Sequence, residues 1–428
     1  MEGRKGFGVT VAAKEILVTG FGRLSWPQML LLLKSRDSVE VRLLLAWIFF
    51  GFPFACAVTF EIADPAEFSR IINPNAALTT HATIDKWLEG PTWVPSGGGY
   101  LVFCDQGNNR LKKLVPPTSL TDFLLPPANT LINGTVLDGQ ERLICAEAGS
   151  AGQKISRLVS GVTTPLVTRC NDLKFYSPND VAVKSDGTIW FTDPNYNSGT
   201  VKGTSGYAAG YYVYQFNPTI GNSSCRTVIT SGPIRPNGIC FSPEETKLYV
   251  ADSDGGASGH RIYVYAVSAT NTLSGGTVFA NISNGSPDGI KCDIDGRVWS
   301  SAGNGVHIFA PDGHLIGKIL VNRTANVCFG GPQYKTLFMT GQPLVTSMPV
   351  LVAGTQALKK LEIKNQAGQL MLSWPAPSTG WSLQETTQFE TPGSWINSSL
   401  QVVITNNQNT AIVTTTATSK KFFRLRLN

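Results

Sequence analysis

Six short segments of the chain share one pattern, and that repeat restricts the fold more than any other feature. They are Glu89-Gly-Pro-Thr-Trp, Asn133-Gly-Thr-Val-Leu-Asp, Asn179-Asp-Val-Ala-Val, Asn237-Gly-Ile-Cys-Phe, Asp288-Gly-Ile-Lys-Cys-Asp and Asn326-Val-Cys-Phe. Each begins with an oxygen-bearing side chain, continues as a short apolar strand and turns through Gly, Asp, Pro or Ser. A second strand follows, as in Gly187-Thr-Ile-Trp-Phe-Thr-Asp193 or Lys247-Leu-Tyr-Val-Ala-Asp252. The starts at 89, 133, 179, 237, 288 and 326 lie 44, 46, 58, 51 and 38 residues apart. Units of ~40 to 50 residues with several strands apiece are what a propeller blade requires. An array of β-sandwiches would not explain why the same kind of polar residue opens every unit. The expectation is therefore an all-β chain, with a six-bladed β-propeller over residues 58–354.

The texture between the repeats agrees. The 43 Gly and 25 Pro separate short runs of Val, Ile, Tyr, Phe, Trp and Thr, as tight turns separate strands. After Val350 the repeat stops, and Thr355 to Leu361 reads as a linker. Leu370-Met-Leu-Ser-Trp374, Trp381-Ser-Leu-Gln, Gln401-Val-Val-Ile-Thr405, Thr410-Ala-Ile-Val-Thr414 and Phe422-Phe-Arg-Leu-Arg-Leu427 are short alternating strands. They suit a small β-sandwich accessory domain at 355–428, which carries no catalytic constellation. Attachment or spacing is its expected role, with no partner specified.

At the other end, Arg42 precedes an apolar run from Leu43 to Phe54, which ends in the small-x-small sequence Ala55-Cys56-Ala57. Residues 1–57 are read as a signal peptide region, with Met29 an alternative start and the mature chain beginning near Val58. Export would make the protein secreted or periplasmic. The run is shorter than the ~20 apolar residues of a spanning helix and holds Pro53, so no stable membrane span is expected. The net charge of +6 comes from scattered residues rather than a basic block, so no nucleic-acid partner is implied. Cys104, Cys145, Cys240, Cys292 and Cys328 lie in apolar strand patterns and are expected to be buried thiols. Cys170 and Cys225, in loop-like sequence, are candidates for pairing in an oxidising compartment.

In a propeller the innermost strand of each blade lines the central channel, so the residues that open those strands converge. Glu89, Asn133, Asn179, Asn237, Asp288 and Asn326 would form a ring of two carboxylates and four amides. Carboxylates facing each other across an apolar channel repel, and a divalent cation relieves that. Oxygen donors without Cys or His suit Ca²⁺, Mg²⁺ or Mn²⁺ better than a dedicated zinc site, with Zn²⁺ a lesser candidate. The alternative, that Asn and Asp before Gly are ordinary turn formers, is weakened by their recurrence at equivalent points. Asp105, Glu147, Asp193 and Asp252 fall where the second strands return beside the ring. They are either solvated turns or a layer that orients ligands or contacts substrate hydroxyls, with Asp193 the strongest candidate.

Four motifs extend these observations: Glu89-Gly-Pro-Thr-Trp93; Ser177-Pro-Asn-Asp-Val181 running on to Asp186-Gly-Thr-Ile-Trp-Phe-Thr-Asp-Pro194; Arg235-Pro-Asn-Gly238; and Ser286-Pro-Asp-Gly289. Together, in this order, they resemble the gluconolactonase, or senescence-marker-protein-30, family across the whole repeat region. The resemblance implies a metal held by Glu89, Asn179, Asn237 and Asp288, and leaves Asn133 and Asn326 as channel or substrate-side residues beside Asp193. It also implies hydrolysis of a sugar lactone to its aldonic acid, with the metal polarising the carbonyl and Asp288 as general base. One departure is Ser177, where animal members of the family carry an arginine that contacts substrate. Tyr196 and Lys174 are further candidates there. No Gly-x-Ser-x-Gly elbow is present, and His81, His260, His307 and His314 lie outside the ring motifs. The competing readings are an aryl-ester or phosphotriester hydrolase on the same metal, and a noncatalytic binding propeller.

Overall fold

The structure, a computed structural model, describes residues 16–17, 23–24, 55–254, 259–357, 361–366, 369–376, 381–388, 394–405, 408–413 and 421–427. The apolar run of the expected leader and Met29 lie outside those residues. Two compact units are present. Within Met1–Phe54 the described residues form one antiparallel ladder, Ile16–Leu17 with Arg23–Leu24. Ala55–Asn428 holds everything else.

Alternating apolar runs broken by Gly, Asp and Pro produce six antiparallel sheets in chain order. Their first strands are Leu88–Val94, Ile132–Leu137, Val181–Val183, Pro236–Phe241, Ile290–Cys292 and Thr324–Gly330. Each pairs with a second strand, that with a third, and in the first five sheets the third with a fourth, all consecutive in sequence. The first strands of successive sheets lie side by side, and the sixth returns to the first. The result is a closed, propeller-like ring.

The ring is completed by chain that precedes it. Ala77–Thr83 pairs with Leu344–Pro349 in the sixth sheet through Leu344↔Thr83 and Val345↔Ala82, joining the two ends of the ring in one sheet. Ala55–Ala57 adds an outer strand there, and Thr59–Ile62 a fifth strand to the fifth sheet. Between Thr59–Ile62 and Ala77–Thr83 the helix Pro65–Ile71 starts on Asp64, whose Oδ1 accepts the backbone N–H of Ala66 and Glu67 at 3.1 Å, and buries Phe68 and Ile71.

The core is spread between neighbouring sheets. Trp190 of the third meets Phe241 of the fourth at 5.5 Å, Trp299 of the fifth meets Phe329 of the sixth at 5.3 Å, and Trp93 of the first stacks on Phe338 of the sixth at 5.4 Å. Each edge-to-face or offset aromatic contact adds ~0.5–1.5 kcal/mol to its area burial, so the sheets are held to one another as well as within themselves. Cys104, Cys145, Cys170, Cys225, Cys240, Cys292 and Cys328 are buried and free, and the Cys170 and Cys225 thiols lie within hydrogen-bonding reach of each other. Beyond residue 360, Gln369–Pro375 lies between Glu362–Gln366 and Gln408–Val413, with Val402–Thr405 outermost. Trp381–Thr386 lies between Ile396–Asn397 and Phe422–Leu427. These two small sheets share a core of Leu372, Trp374, Leu383, Ala411 and Val413.

Candidate functional site

The six repeat heads stand where the first strand of each sheet departs from regular pairing. Register slips between Glu89 and Thr92, Ile132 and Thr135, Pro236 and Ile239, and Thr324 and Asn326. In the third and fifth sheets regular pairing begins at Val181 and Ile290, just past Asn179 and Asp288. A bulge re-aims a side chain out of the simple in-and-out alternation, so one polar group can be presented at the head of an apolar strand.

The glycines that follow have a different role from that of turn formers. Gly134 donates its N–H to the Asn179 carbonyl at 2.6 Å, Gly238 to that of Asp288 at 3.0 Å and Gly289 to that of Ala325 at 2.9 Å. A Cβ on these glycines would lie 2.5 Å from Asn179 O, 2.0 Å from Asp288 O and 2.0 Å from the Asn326 side chain. In the first, second, fourth and fifth sheets, where glycine follows the polar head, the pair therefore lets the sheet press its backbone onto the head of the next.

This packing brings Glu89, Asn237, Asp288 and Asn326 together. Glu89 is buried; its Oε1 accepts from Trp87 Nε1 at 3.0 Å, and its Oε2 from Gly90 N at 3.2 Å and Asn326 Nδ2 at 3.0 Å. Asp288 is half-buried and within hydrogen-bonding reach of Glu89 and Asn237. Burial raises the Glu89 carboxyl above its ordinary range. Burial, then the negative charges of Glu89 and Asp180, hold Asp288 well above its own. Asn237 Nδ2 donates to Ser253 Oγ at 2.9 Å, leaving its Oδ1 buried without a hydrogen-bond partner, as is Asn133 Oδ1. Crowded carboxylates beside orphaned amide oxygens are the donor set of a hard cation, and the residues present fit one. Among the described residues no three His, Cys, Asp or Glu side chains form such a group, so an ion here must use amide oxygens.

Two participants escape a reading by repeat heads alone. Asp180 is buried; its Oδ1 accepts from Val181 N at 2.9 Å and its Oδ2 from Ile239 N at 3.1 Å, with Lys291 Nζ 3.7 Å from the same oxygen. Lys291 ties the third sheet to the fifth across the head of the fourth. The available signal was a lysine inside the apolar strand Ile290–Cys292 and a second acid directly after Asn179. With Glu89, Asp180 and Asp288 ionised and Lys291 charged, the centre carries a net charge of two minus, which one divalent cation balances.

Two residues expected on the substrate side make contacts within the protein. Asp193 is fully buried, and its oxygens accept the backbone N–H of Tyr176 at 2.8 Å and Ser177 at 2.5 Å. Both carboxylate oxygens thus tie down the segment leading into Asn179. Asn326 donates to Glu89 and accepts from Val327 N at 2.8 Å, so both ends of its amide are engaged within the protein. Asp252 repeats the Asp193 arrangement on Ile234 N and Arg235 N, Asp105 accepts from Asn108, and Glu147 takes Ser156 Oγ and Lys154 Nζ. None of these four is a solvated turn. Asn179 is buried at the head of the third sheet, and Asn133 keeps its free oxygen at the head of the second. The histidines stay outside the ring: His81 meets Pro117 O, His260 meets Ser286 Oγ, His307 meets Asn304 and His314 meets Asp312. A cavity of about 360 Å³ lies elsewhere, against Tyr100, Phe123, Leu143 and Leu158, and holds none of the ring residues.

Residues 87–342, which span every ring position, match the SMP-30/Gluconolactonase/LRE-like region. The chain belongs to this family. It is 29% identical over 297 residues to a gluconolactonase of Zymomonas mobilis, covering 64% of this chain and 81% of that one. It is 26% identical over 320 residues to the lactonohydrolase oryL of Aspergillus oryzae, covering 66% and 72%. Among solved structures, the gluconolactonase of Xanthomonas campestris superposes with a TM-score of 0.62 at 30% identity, over 70% of this chain and 97% of that one. A regucalcin of Agrobacterium tumefaciens, at 19% identity and a TM-score of 0.51, shares the fold over 64% of this chain and 93% of its own.

Proposed function

We propose that this member of the SMP-30/gluconolactonase family is a divalent-cation-dependent hydrolase that opens a sugar lactone to its aldonic acid. The six sheets would serve as the blades of a propeller and the two C-terminal sheets as a sandwich module. Lactone hydrolysis is supported by the gluconolactonase and lactonohydrolase relatives, and the family region at residues 87–342 spans all six ring positions. The cation requirement is carried by one observation: Glu89 and Asp288 lie in contact, both with raised proton affinity, beside the orphaned Oδ1 of Asn237. Glu89, Asn179, Asn237 and Asp288 would hold the ion, with Ca²⁺ the best match to an all-oxygen, partly amide donor set. When bound, it supplies polarisation of the lactone carbonyl and stabilisation of the developing oxyanion.

The remaining work falls to the chain. Asp288, half-exposed where Glu89 is buried, takes the proton of the attacking water as its oxygen bonds to the carbonyl carbon. It returns that proton to the ring oxygen as the C–O bond breaks. Asn326 and Trp87 hold the Glu89 carboxylate in place, and Ser253, which also donates to Pro287 O at 2.6 Å, positions both Asn237 and the segment before Asp288. Export is part of the proposal. Of the sixth sheet, cleavage after Ala57 would remove only the outer strand Ala55–Ala57 and leave Ala77–Thr83 to close the ring. Among the described residues no helix is long and apolar enough to cross a membrane.

The test is turnover of gluconolactone after chelation and after readdition of Ca²⁺, in the native chain and in Asp288→Asn. Chelation should abolish hydrolysis and Ca²⁺ restore it. At saturating Ca²⁺ the substitution should cost ~10² to 10⁴ in rate, the usual contribution of a general base. Undiminished hydrolysis in chelator would overturn the cation requirement. Near-normal turnover by Asp288→Asn would move the base elsewhere, with Glu89 first in line.

A further inference from the structure

The longest spacing between repeat heads, 58 residues from Asn179 to Asn237, has its excess in the third sheet, where residues 194–211 separate the second strand Ile189–Asp193 from the third strand Tyr212–Phe216. Second strands end where first strands begin, as the pairs Leu88↔Asp105, Ile132↔Glu147 and Pro236↔Asp252 show. The long connection therefore lies at the ring's end of the sheet.

It brings Tyr196 and Tyr211, and both meet Arg235. The Arg235 guanidinium carbon lies 4.9 Å from the centre of the Tyr196 ring and 5.7 Å from that of Tyr211, and its backbone N–H is held by Asp252 at 2.9 Å. The Tyr196 hydroxyl reaches Ser253 and Asn237 and lies in the field of Asp288. Arg235 is thus one aromatic ring away from the ligand set. Lys202 sits 5.1 Å over Tyr211, and the nearest acid, the half-exposed Asp254, is 3.9 Å from Arg235 Nε. That Nε is buried and has no hydrogen-bond partner among the described residues.

We infer that Arg235, gripped between Tyr196 and Tyr211, is the specificity-determining side chain of this site and selects lactones bearing an anionic group over neutral ones. The inference rests on the hydrolase reading. A guanidinium braced by aromatic faces is pre-organised, and its planar donor fork matches carboxylate, phosphate or sulfonate two bonds at a time. Hydrogen bonds to an ionised acceptor are roughly twice as strong as those to a sugar hydroxyl. The centre does not oppose this choice, because three carboxylates, one ammonium and one divalent cation leave it neutral, whereas Arg235 and Lys202 outweigh Asp254 at the rim.

The test compares the calcium-loaded full chain with Arg235→Met, which keeps an unbranched apolar stem between the two tyrosines. Substrates are gluconolactone, which is neutral, glucarolactone, which carries a carboxylate, and 6-phosphogluconolactone. Native protein should prefer at least one anionic lactone by roughly tenfold or more in kcat/KM. Arg235→Met should lose ~10²-fold on that substrate and stay within about threefold on gluconolactone, as expected when a charged recognition contact is removed. Which anionic lactone is preferred distinguishes a carboxylate from a phosphate. Calorimetric binding of glucarate against gluconate gives a readout without turnover: tighter glucarate binding, lost in Arg235→Met, sustains anion recognition by Arg235 even if no lactone is hydrolysed and the hydrolase reading fails. Hydrolysis of gluconolactone with no preference for either anionic lactone, or equal losses on all three, overturns the inference and leaves the hydrolase reading standing.

Discussion

Replacing Gly238 by alanine isolates the way the sheets press on one another. The new Cβ would lie 2.0 Å from the carbonyl oxygen of Asp288 and 2.8 Å from the backbone N of Ile290, with no flexible side chain to give way. Gly238 is not in the left-handed region, so the substitution adds a contact and no torsional strain of its own. Overpacking of this kind costs ~1–3 kcal/mol. The bond from Gly238 N to Asp288 O, 3.0 Å long, must stretch as the heads separate, and a typical hydrogen bond contributes ~0.5–1.5 kcal/mol. The two effects together amount to about 1.5–4.5 kcal/mol, and at ~2–4 °C per kcal/mol for a domain of this size Tm should fall by about 3–18 °C. Asp288 moves with its carbonyl, so Ca²⁺ affinity should fall as well. Gly139→Ala is the control, since nothing lies within 4 Å of its added Cβ. Scanning calorimetry and calcium titration on the three proteins read both effects. A Gly238→Ala protein that melts within a degree of Gly139→Ala and binds Ca²⁺ normally would refute close approach as the reason for the glycine.

Lys291→Met leaves the buried Asp180 carboxylate without its cation and should cost about 3–5 kcal/mol, as breaking a buried ion pair does. Adding Asp180→Asn should recover much of that in a denaturant melt, and a single variant as stable as the native chain would dismiss the pair. The buried carboxyls also predict a pH dependence for the cation-free protein. Burial lifts Asp193 to about 7 and raises Glu89 and Asp288, so folded pKa values exceed unfolded ones. The stability these groups contribute is full below the unfolded values near ~4 and is lost as pH rises through the folded ones. Tm measured in chelator should therefore fall between pH ~4 and 7, and the rise in Tm on adding Ca²⁺ should grow with pH as the ion competes with fewer protons. A calcium-induced shift that does not vary with pH would count against carboxylate ligation.

The propeller-like ring, the positions of its six heads and the burial of the five strand cysteines were legible in the sequence, because each follows from a local period. A strand head, an apolar run and a turn recur once per unit, at intervals of 38 to 58 residues. The pairing of polar residue with glycine was legible too, although its reason was not: the clash that excludes a side chain at Gly238 is with Asp288, fifty residues away in the chain. Roles within the site depended on tertiary structure for the same cause. Spacing placed Asn326 in the ring and Asp193 beside it, but what each polar side chain meets is decided by which segment arrives next to it. Tyr176, Ser177 and Glu89 arrive first. Asp180 and Lys291 sit in different sheets, and Arg235, Tyr196 and Tyr211 meet only because a long connection folds back toward the ring. A sequence period reports which residues share a strand face, whereas charge pairing and substrate selection arise from contacts between sheets, where no period operates.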